Sequence, residues 1–201
     1  MKLKNRYFIL RHGEALSNKK DILSSWPERS RFPLTQKGKK QIKAVVKKLK
    51  SGPPSSCLAG LQRAKIDLIF SSDLLRTRQT AEIVGRGLKI KPKYDKRLRE
   101  YNVGIFNGKT IKEFREHFPF EKRFKIKPPG GETYGEIKKR MYDFLKDIDR
   151  KYDKKSILII SHQGTLTLLE GKVKGLPNPK IFKKFPKEKR IKTGELKELK
   201  S

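Results

Sequence analysis

Four short apolar runs recur along the chain, separated by segments whose apolar positions fall three or four residues apart. Tyr7-Phe8-Ile9-Leu10, Ile66-Asp67-Leu68-Ile69-Phe70, Ile90 to Tyr94 and Ser156-Ile157-Leu158-Ile159-Ile160 have the length and composition of strands. The last is apolar enough for burial on both faces. Between them, Ile42, Val45, Val46 and Leu49 form a helical stripe behind Thr35, a suitable N-cap. Further helices are expected from Leu74 to about Val84, from Thr110 to Phe118, from Thr133 to Arg150 and from Thr165 to Lys172. Ile137, Met141, Phe144, Leu145 and Ile148 give the fourth of these five helices one apolar face. Ser71-Ser72-Asp73 is a cluster suited to capping the second. Ser51-Gly52-Pro53-Pro54-Ser55-Ser56 reads as an exposed loop, and Thr193-Gly194 as a turn between two edge strands. Strands alternating with helices predict an α/β fold with a mostly parallel central sheet.

Length and charge narrow the picture. A chain of 201 residues fits one domain with a substantial core. The formal net charge is +31, and its lysines are dispersed. Lys37, Lys39, Lys40, Lys43, Lys47, Lys48 and Lys50 crowd one helix, with others almost everywhere. Dispersal fits a solvated surface better than a dedicated nucleic-acid face, which concentrates its charge. Weak, non-specific duplex binding is the expectation. The single cysteine, Cys57, excludes an internal disulfide, and His12, His117 and His162 lack metal-ligand spacing. The apolar run behind the basic Met1 to Arg6 is too short for a signal-peptide core or a membrane span. A cytoplasmic location with no membrane partner is expected; nothing bears on oligomeric state.

Three of the strands end in unusual polar residues. The first runs into Arg11-His12-Gly13-Glu14, the second into Ser71 and then Arg76, the last into Ser161-His162. Right-handed crossovers place these ends on one edge of the sheet, where α/β folds bind ligands. Two histidines and two arginines gather there. A guanidinium neutralises phosphate oxygens, and an imidazole can attack phosphorus. Arg76 falls in the first turn of its helix, where a cation opposes the helix dipole; an anion bound at that terminus would account for it.

In this order the motifs resemble the histidine phosphatase superfamily, which includes the cofactor-dependent phosphoglycerate mutases. The matching pieces are Arg11-His12-Gly13-Glu14 with Asn18, and Pro33-Leu34-Thr35 with Gly38 and Gln41. Next come Ser72 to Ala81, Leu98-Arg99-Glu100 with Gly104 and Gly108, Pro129-Gly130-Gly131-Glu132, and Ser161-His162-Gln163-Gly164. They span residues 5 to 170, leaving 173–201 as a basic C-terminal segment of the same domain. The resemblance implies a three-layer α/β/α sandwich of the phosphoglycerate mutase type. It implies His12 as the nucleophile that becomes phosphohistidine, and Glu100 as proton donor. Arg11, Arg76 and His162 would surround the phosphoryl group, the last as an imidazolium. Asn18 and Gln163 would complete the substrate-binding set, and Glu14 would support the His12 region. No metal and no cofactor are implied. The expected partner is a small phosphorylated metabolite.

Some positions depart from the family pattern. Arg31 stands where an acidic residue is common, Phe106 where tryptophan is, and Gln163-Gly164 where two glycines are. Tyr134 lies where substrate-lining side chains vary. After the acid the order is Arg99-Glu100-Tyr101-Asn102-Val103-Gly104, without the Gly-Leu-Asn-Lys run of the mutases. That resembles the family's phosphatases. A phosphomonoester hydrolase is therefore expected; the alternatives are a phosphoglycerate mutase and a catalytically weak member that binds nucleic acid through its basic surface.

Overall fold

The computed structural model describes residues 3–28, 32–51 and 65–200. Arg31, Cys57 and most of the expected loop at 51–56 lie outside these residues. In chain order the strands are β1 (Arg6–Arg11), β2 (Leu68–Ser71), β3 (Lys93–Tyr94), β4 (Ser156–Ser161) and β5 (Leu196–Glu198). The helices are α1 (Leu16–Lys19), α2 (Gln36–Ser51), α3 (Leu75–Leu88), α4 (Ile111–His117), α5 (Tyr134–Lys151), α6 (Gln163–Val173) and α7 (Asn178–Lys184). The sheet order is β3-β2-β4-β1-β5, with β5 antiparallel to β1 and every other pair parallel.

Alternation along the strands builds two cores. Tyr7 and Ile9 of β1, with Ile157 and Ile159 of β4, face the α5–α6–α7 side. Phe8, Leu10, Leu158 and Ile160 face α2 and α3. β4 is buried on both faces, as its unbroken apolar run predicts. Truncating a fully buried residue such as Leu158 to alanine costs about 2–5 kcal/mol. This is the expected three-layer α/β/α sandwich.

Four local expectations are corrected. β3 shrinks to two residues because the Ile90 N–H is taken by the Gly85 carbonyl and Pro92 has no N–H to donate. α3 runs past Val84 through two glycines; a Cβ on Gly87 would lie 2.4 Å from Val46 Cγ1, so close packing of α2 on α3 outweighs glycine's weak helix propensity. Its N-cap is Leu74, not the serine–aspartate cluster: the Asp73 carboxylate is held by Arg99 at 2.7 and 2.5 Å instead. At the C-terminal end only β5 is a strand. The Gly194 N–H turns back onto the Arg11 and His12 carbonyls, and the Ile191 carbonyl is taken by side chains, so no ladder forms before the turn. Among the described residues, no helix is long and apolar enough to cross a membrane.

Candidate active site

Backbone pairing beyond the strands aligns the three polar ends. The His12 N–H donates to the Ser161 carbonyl at 3.1 Å, and the Ser72 N–H to the Ile160 carbonyl at 3.0 Å. His12 and His162 therefore sit side by side, their ring centroids 5.2 Å apart in an edge-on arrangement. Both are buried.

Arg76 joins them. Its Nε donates to His12 Nε2 at 3.2 Å and its Nη2 to His162 Nδ1 at 3.0 Å. Its remaining donors reach the Ser24 hydroxyl and carbonyl at 3.0 and 2.9 Å. A guanidinium can only donate, so both imidazole nitrogens facing it are acceptors. The His12 proton then lies on Nδ1, which donates to the Gly13 carbonyl at 2.8 Å. The His162 proton lies on Nε2, 3.0 Å from Ser72 Oγ. Burial, reinforced by Arg76, pushes both histidines well below the ordinary imidazole range. Facing Arg76 as acceptors, both imidazoles are neutral in this arrangement.

The site's positive charge comes from the two arginines. Arg11 is lowered to about 10, by burial first, and stays charged at neutral pH. Arg76 is lowered by burial, with Glu100 opposing. Among the described residues neither guanidinium bonds a carboxylate, and Arg11 Nε is buried without a hydrogen-bond partner. Arg11 Nη1 holds the Ile191 carbonyl at 3.3 Å. A buried cationic pocket with a spare N–H suits an oxyanion. The α3 terminus, where an anion was expected, meets a carboxylate of the chain itself. There the Glu28 carboxylate accepts the Leu75 N–H at 3.1 Å, and Arg76 instead turns its side chain to the histidines.

Glu100 lines the same pocket. Its Oε1 accepts from the Tyr101 N–H at 2.9 Å and the Thr165 hydroxyl at 3.1 Å. Gly164 permits this approach, since a Cβ there would lie 3.3 Å from Glu100 Oε1. The backbone beneath is clamped by Arg140, which bonds the carbonyls of Arg97, Arg99 and Glu100 and pairs with Glu132. Trp26 Nε1 donates to the Glu100 carbonyl at 3.0 Å.

The remaining expected residues take quieter places. Asn18 is exposed at the pocket mouth, its Oδ1 accepting the Ala15 N–H at 3.0 Å in the α1 cap. Gln163 lines the pocket but commits its Nε2 to the Ile191 carbonyl at 3.1 Å. The Glu14 carboxylate faces Thr35 and Lys37, not His12. Its role is to dock the end of β1 on α2, where a Cβ on Gly38 would lie 2.1 Å from the Glu14 carbonyl oxygen. Ser24, Ser72, Thr165 and Arg140 were not singled out by chemistry. Ser72 opens the Ser72–Ala81 motif; Arg140 sits mid-helix with no local signal.

The histidine phosphatase superfamily (branch 1) profile matches residues 7–186, beyond the last motif at Gly164. Bovine (Bos taurus) fructose-2,6-bisphosphatase TIGAR is 33% identical over 144 residues, 69% of this chain and 48% of that protein's length. The chain thus spans about half of that relative. The protein named "Probable phosphoglycerate mutase GpmB" from Escherichia fergusonii is 30% identical over 176 residues, 85% of this chain and 75% of its own. The crystal structure of the alpha-ribazole phosphatase from Shigella flexneri superposes with a TM-score of 0.75 at 22% identity, covering 96% of this chain and 89% of that one.

Proposed function

Because the chain belongs to the histidine phosphatase superfamily, we propose that it is a phosphomonoester hydrolase working through a phosphohistidine on His12, without a metal. The observation that carries this reading is the single guanidinium of Arg76 bonded to both His12 Nε2 and His162 Nδ1. A phosphoryl group entering between them meets a neutral nucleophile whose other nitrogen already holds its proton on Gly13. Nε2 attacks phosphorus as the ester P–O bond breaks, and Glu100 gives its proton to the departing alkoxide. Arg11 and Arg76 neutralise the equatorial oxygens, and His162 joins them. Water then attacks the phosphohistidine, Glu100 takes its proton, and orthophosphate leaves. Asn18 and Gln163 shape the mouth of the pocket. The substrate is a small phosphorylated metabolite, met in the cytoplasm.

Rapid-quench labelling with a phosphorylated substrate tests the reading. Acid-labile, base-stable phosphate is expected on the wild-type chain and none on His12→Ala, whose turnover falls on the order of 10⁴-fold or more. Label that persists unchanged in His12→Ala sinks the assignment.

The similarity to GpmB favours a second reading, a mutase. The decision depends on what meets the phosphohistidine, a second substrate held tightly or water. Supplying 3-phosphoglycerate with catalytic 2,3-bisphosphoglycerate, beside a panel of phosphomonoesters, separates them. Phosphate release from at least one panel member is expected to outpace isomerisation; the reverse makes the enzyme a mutase.

A further inference from the structure

The pocket that holds His12 continues away from it along an aromatic wall. Tyr134 stacks on Phe182 with centroids 5.2 Å apart, and Tyr101 meets Tyr134 edge-on at 5.0 Å. The cavity is about 210 Å³, room for a small metabolite. Three guanidiniums line this part, on Arg115, Arg123 and Arg190.

They are built into the wall. Arg123, only 8% exposed, donates to the Phe118 carbonyl at 2.8 Å and the Tyr134 hydroxyl at 3.1 Å, with its Cζ 4.5 Å from the Phe114 ring centre. Arg190 donates to the Phe185 carbonyl at 2.9 Å, with its Cζ 4.7 Å from the Phe182 ring centre. Arg190 is set in place from the catalytic side, because the carbonyl of the next residue, Ile191, is held by Arg11 and Gln163. Burial lowers Arg190, and Arg115 and Arg123 lower it further, so the three cations sense one another. Tyr101, next to Glu100 in the chain and 7% exposed, lines the same pocket, and its hydroxyl is buried with no hydrogen-bond partner among the described residues. A buried hydroxyl without a partner costs about 1–3 kcal/mol, which a ligand acceptor would recover.

Resting on the phosphatase reading, we propose that Arg115, Arg123, Arg190 and the Tyr101 hydroxyl form a second anion subsite, so that the substrate carries a carboxylate or second phosphate at the end remote from the scissile ester. The aromatic wall covers the apolar body that joins the two groups. His12 and its arginines act on one end; this cluster fixes the other. Positive charge at both ends disfavours esters with a cationic tail.

The test uses phosphate monoesters of ω-hydroxy acids with two to six carbons, α,ω-alkanediol bisphosphates of the same lengths, and plain alkyl phosphates as one-anion references. Turnover is read as kcat/KM, and binding of the matching phosphonates by calorimetry. At the best length, the two-anion compounds are expected to exceed the alkyl reference roughly ten-fold or more in both readouts. That ratio should fall toward one in Tyr101→Phe and in Arg190→Gln. The acid and bisphosphate arms identify which anion is preferred. Arg115→Gln, at an exposed position, keeps the test open should Arg190→Gln fail to fold. No preference at any length, or a preference that survives Tyr101→Phe and the arginine substitution, overturns the subsite. Failure of the phosphatase reading shows differently: no turnover of any ester, while the calorimetric ratio still reports on the subsite.

Discussion

Arg140 and Glu132 form a two-bonded ion pair, Nε to Oε1 and Nη2 to Oε2, each 2.9 Å, with side chains 17% and 12% exposed. The pair lies directly under the backbone of Glu100. Arg140 spends its other donors on the carbonyls of Arg97, Arg99 and Glu100, while Glu132 accepts the Asn102 N–H at 3.0 Å. An irregular segment with few ladder bonds of its own is thereby fixed where a proton donor is needed.

Arg140→Met should therefore act through Glu100. A general acid matters for a poor leaving group and little for a good one. Turnover of alkyl phosphates is expected to fall roughly 10–100-fold, and that of nitrophenyl phosphate far less. Removing one partner of a largely buried pair should also cost about 3 kcal/mol of stability. Steady-state rates on the two substrate types, with urea unfolding, check both parts; equal losses on both substrates would refute a positioning role.

Acid should spare the nucleophile but not the fold. His12 is held below its ordinary range, so it stays neutral as pH falls through 6.5, and the acid limb of kcat/KM set by it should lie below that value. The unfolded chain, by contrast, takes up a proton at each of His12 and His162 near 6.5. More protons bound when unfolded means stability lost as pH falls below that point, by up to about 1.4 kcal/mol per pH unit for each histidine until its folded pKa is reached. Denaturant midpoints between pH 8 and 5 measure this, and His162→Gln should flatten the dependence.

Chelation should leave turnover intact. In the proposed mechanism Arg11 and Arg76 meet the charge on the phosphoryl oxygens, and among the described residues no three His, Cys, Asp or Glu are grouped to hold a metal ion. Vanadate, which can mimic a five-coordinate phosphoryl group, should inhibit better than phosphate. Assays with excess chelator and with both anions decide it; activity regained only on adding a divalent metal would contradict the arginine assignment.

Duplex binding should be weak. The lysines are dispersed along the chain, and a few are paired with carboxylates, such as Lys37 with Glu14, Lys139 with Asp143 and Lys174 with Glu170. Salt titration of binding to a generic duplex reads the number of phosphates contacted from the log–log slope, roughly −0.9 per contact. Nanomolar affinity at physiological salt would reveal a dedicated nucleic-acid face.

The layers of the fold were legible because β1 and β4 are short apolar runs and α5 has one apolar stripe. Both signals are local. What eluded sequence reasoning depends on partners distant in the chain. β3 lost residues to a helix cap and a proline; of the Ser71–Asp73 cluster, Asp73 is taken by Arg99, Ser71 by the Ser72 and Thr77 carbonyls, and Ser72 by His162. Within the site, His12, Arg76 and His162 could be placed together because parallel strands bring their ends to one edge. Arg140 could not, since an arginine in the middle of an amphipathic helix looks like any solvated one. Nor could Arg190 and Ile191. They lie in a lysine-rich stretch without pattern, and bonds to partners distant in the chain, from Arg11 and Gln163 to the Ile191 carbonyl, tie them to the pocket.

The position of β1 in the sheet has a consequence for biosynthesis. Its two neighbours, β4 and β5, begin at Ser156 and Leu196, so the strand leading to His12 is made well before either partner and is paired late. Until then Tyr7 to Leu10 have no lasting cover, and a growing chain cannot assemble the nucleophile with its arginine. Such distant pairing makes folding slow and exposes an apolar edge meanwhile. A product ending before β4 would lack both His162 and the parallel partner of β1, leaving that edge of the strand that carries the nucleophile unpaired.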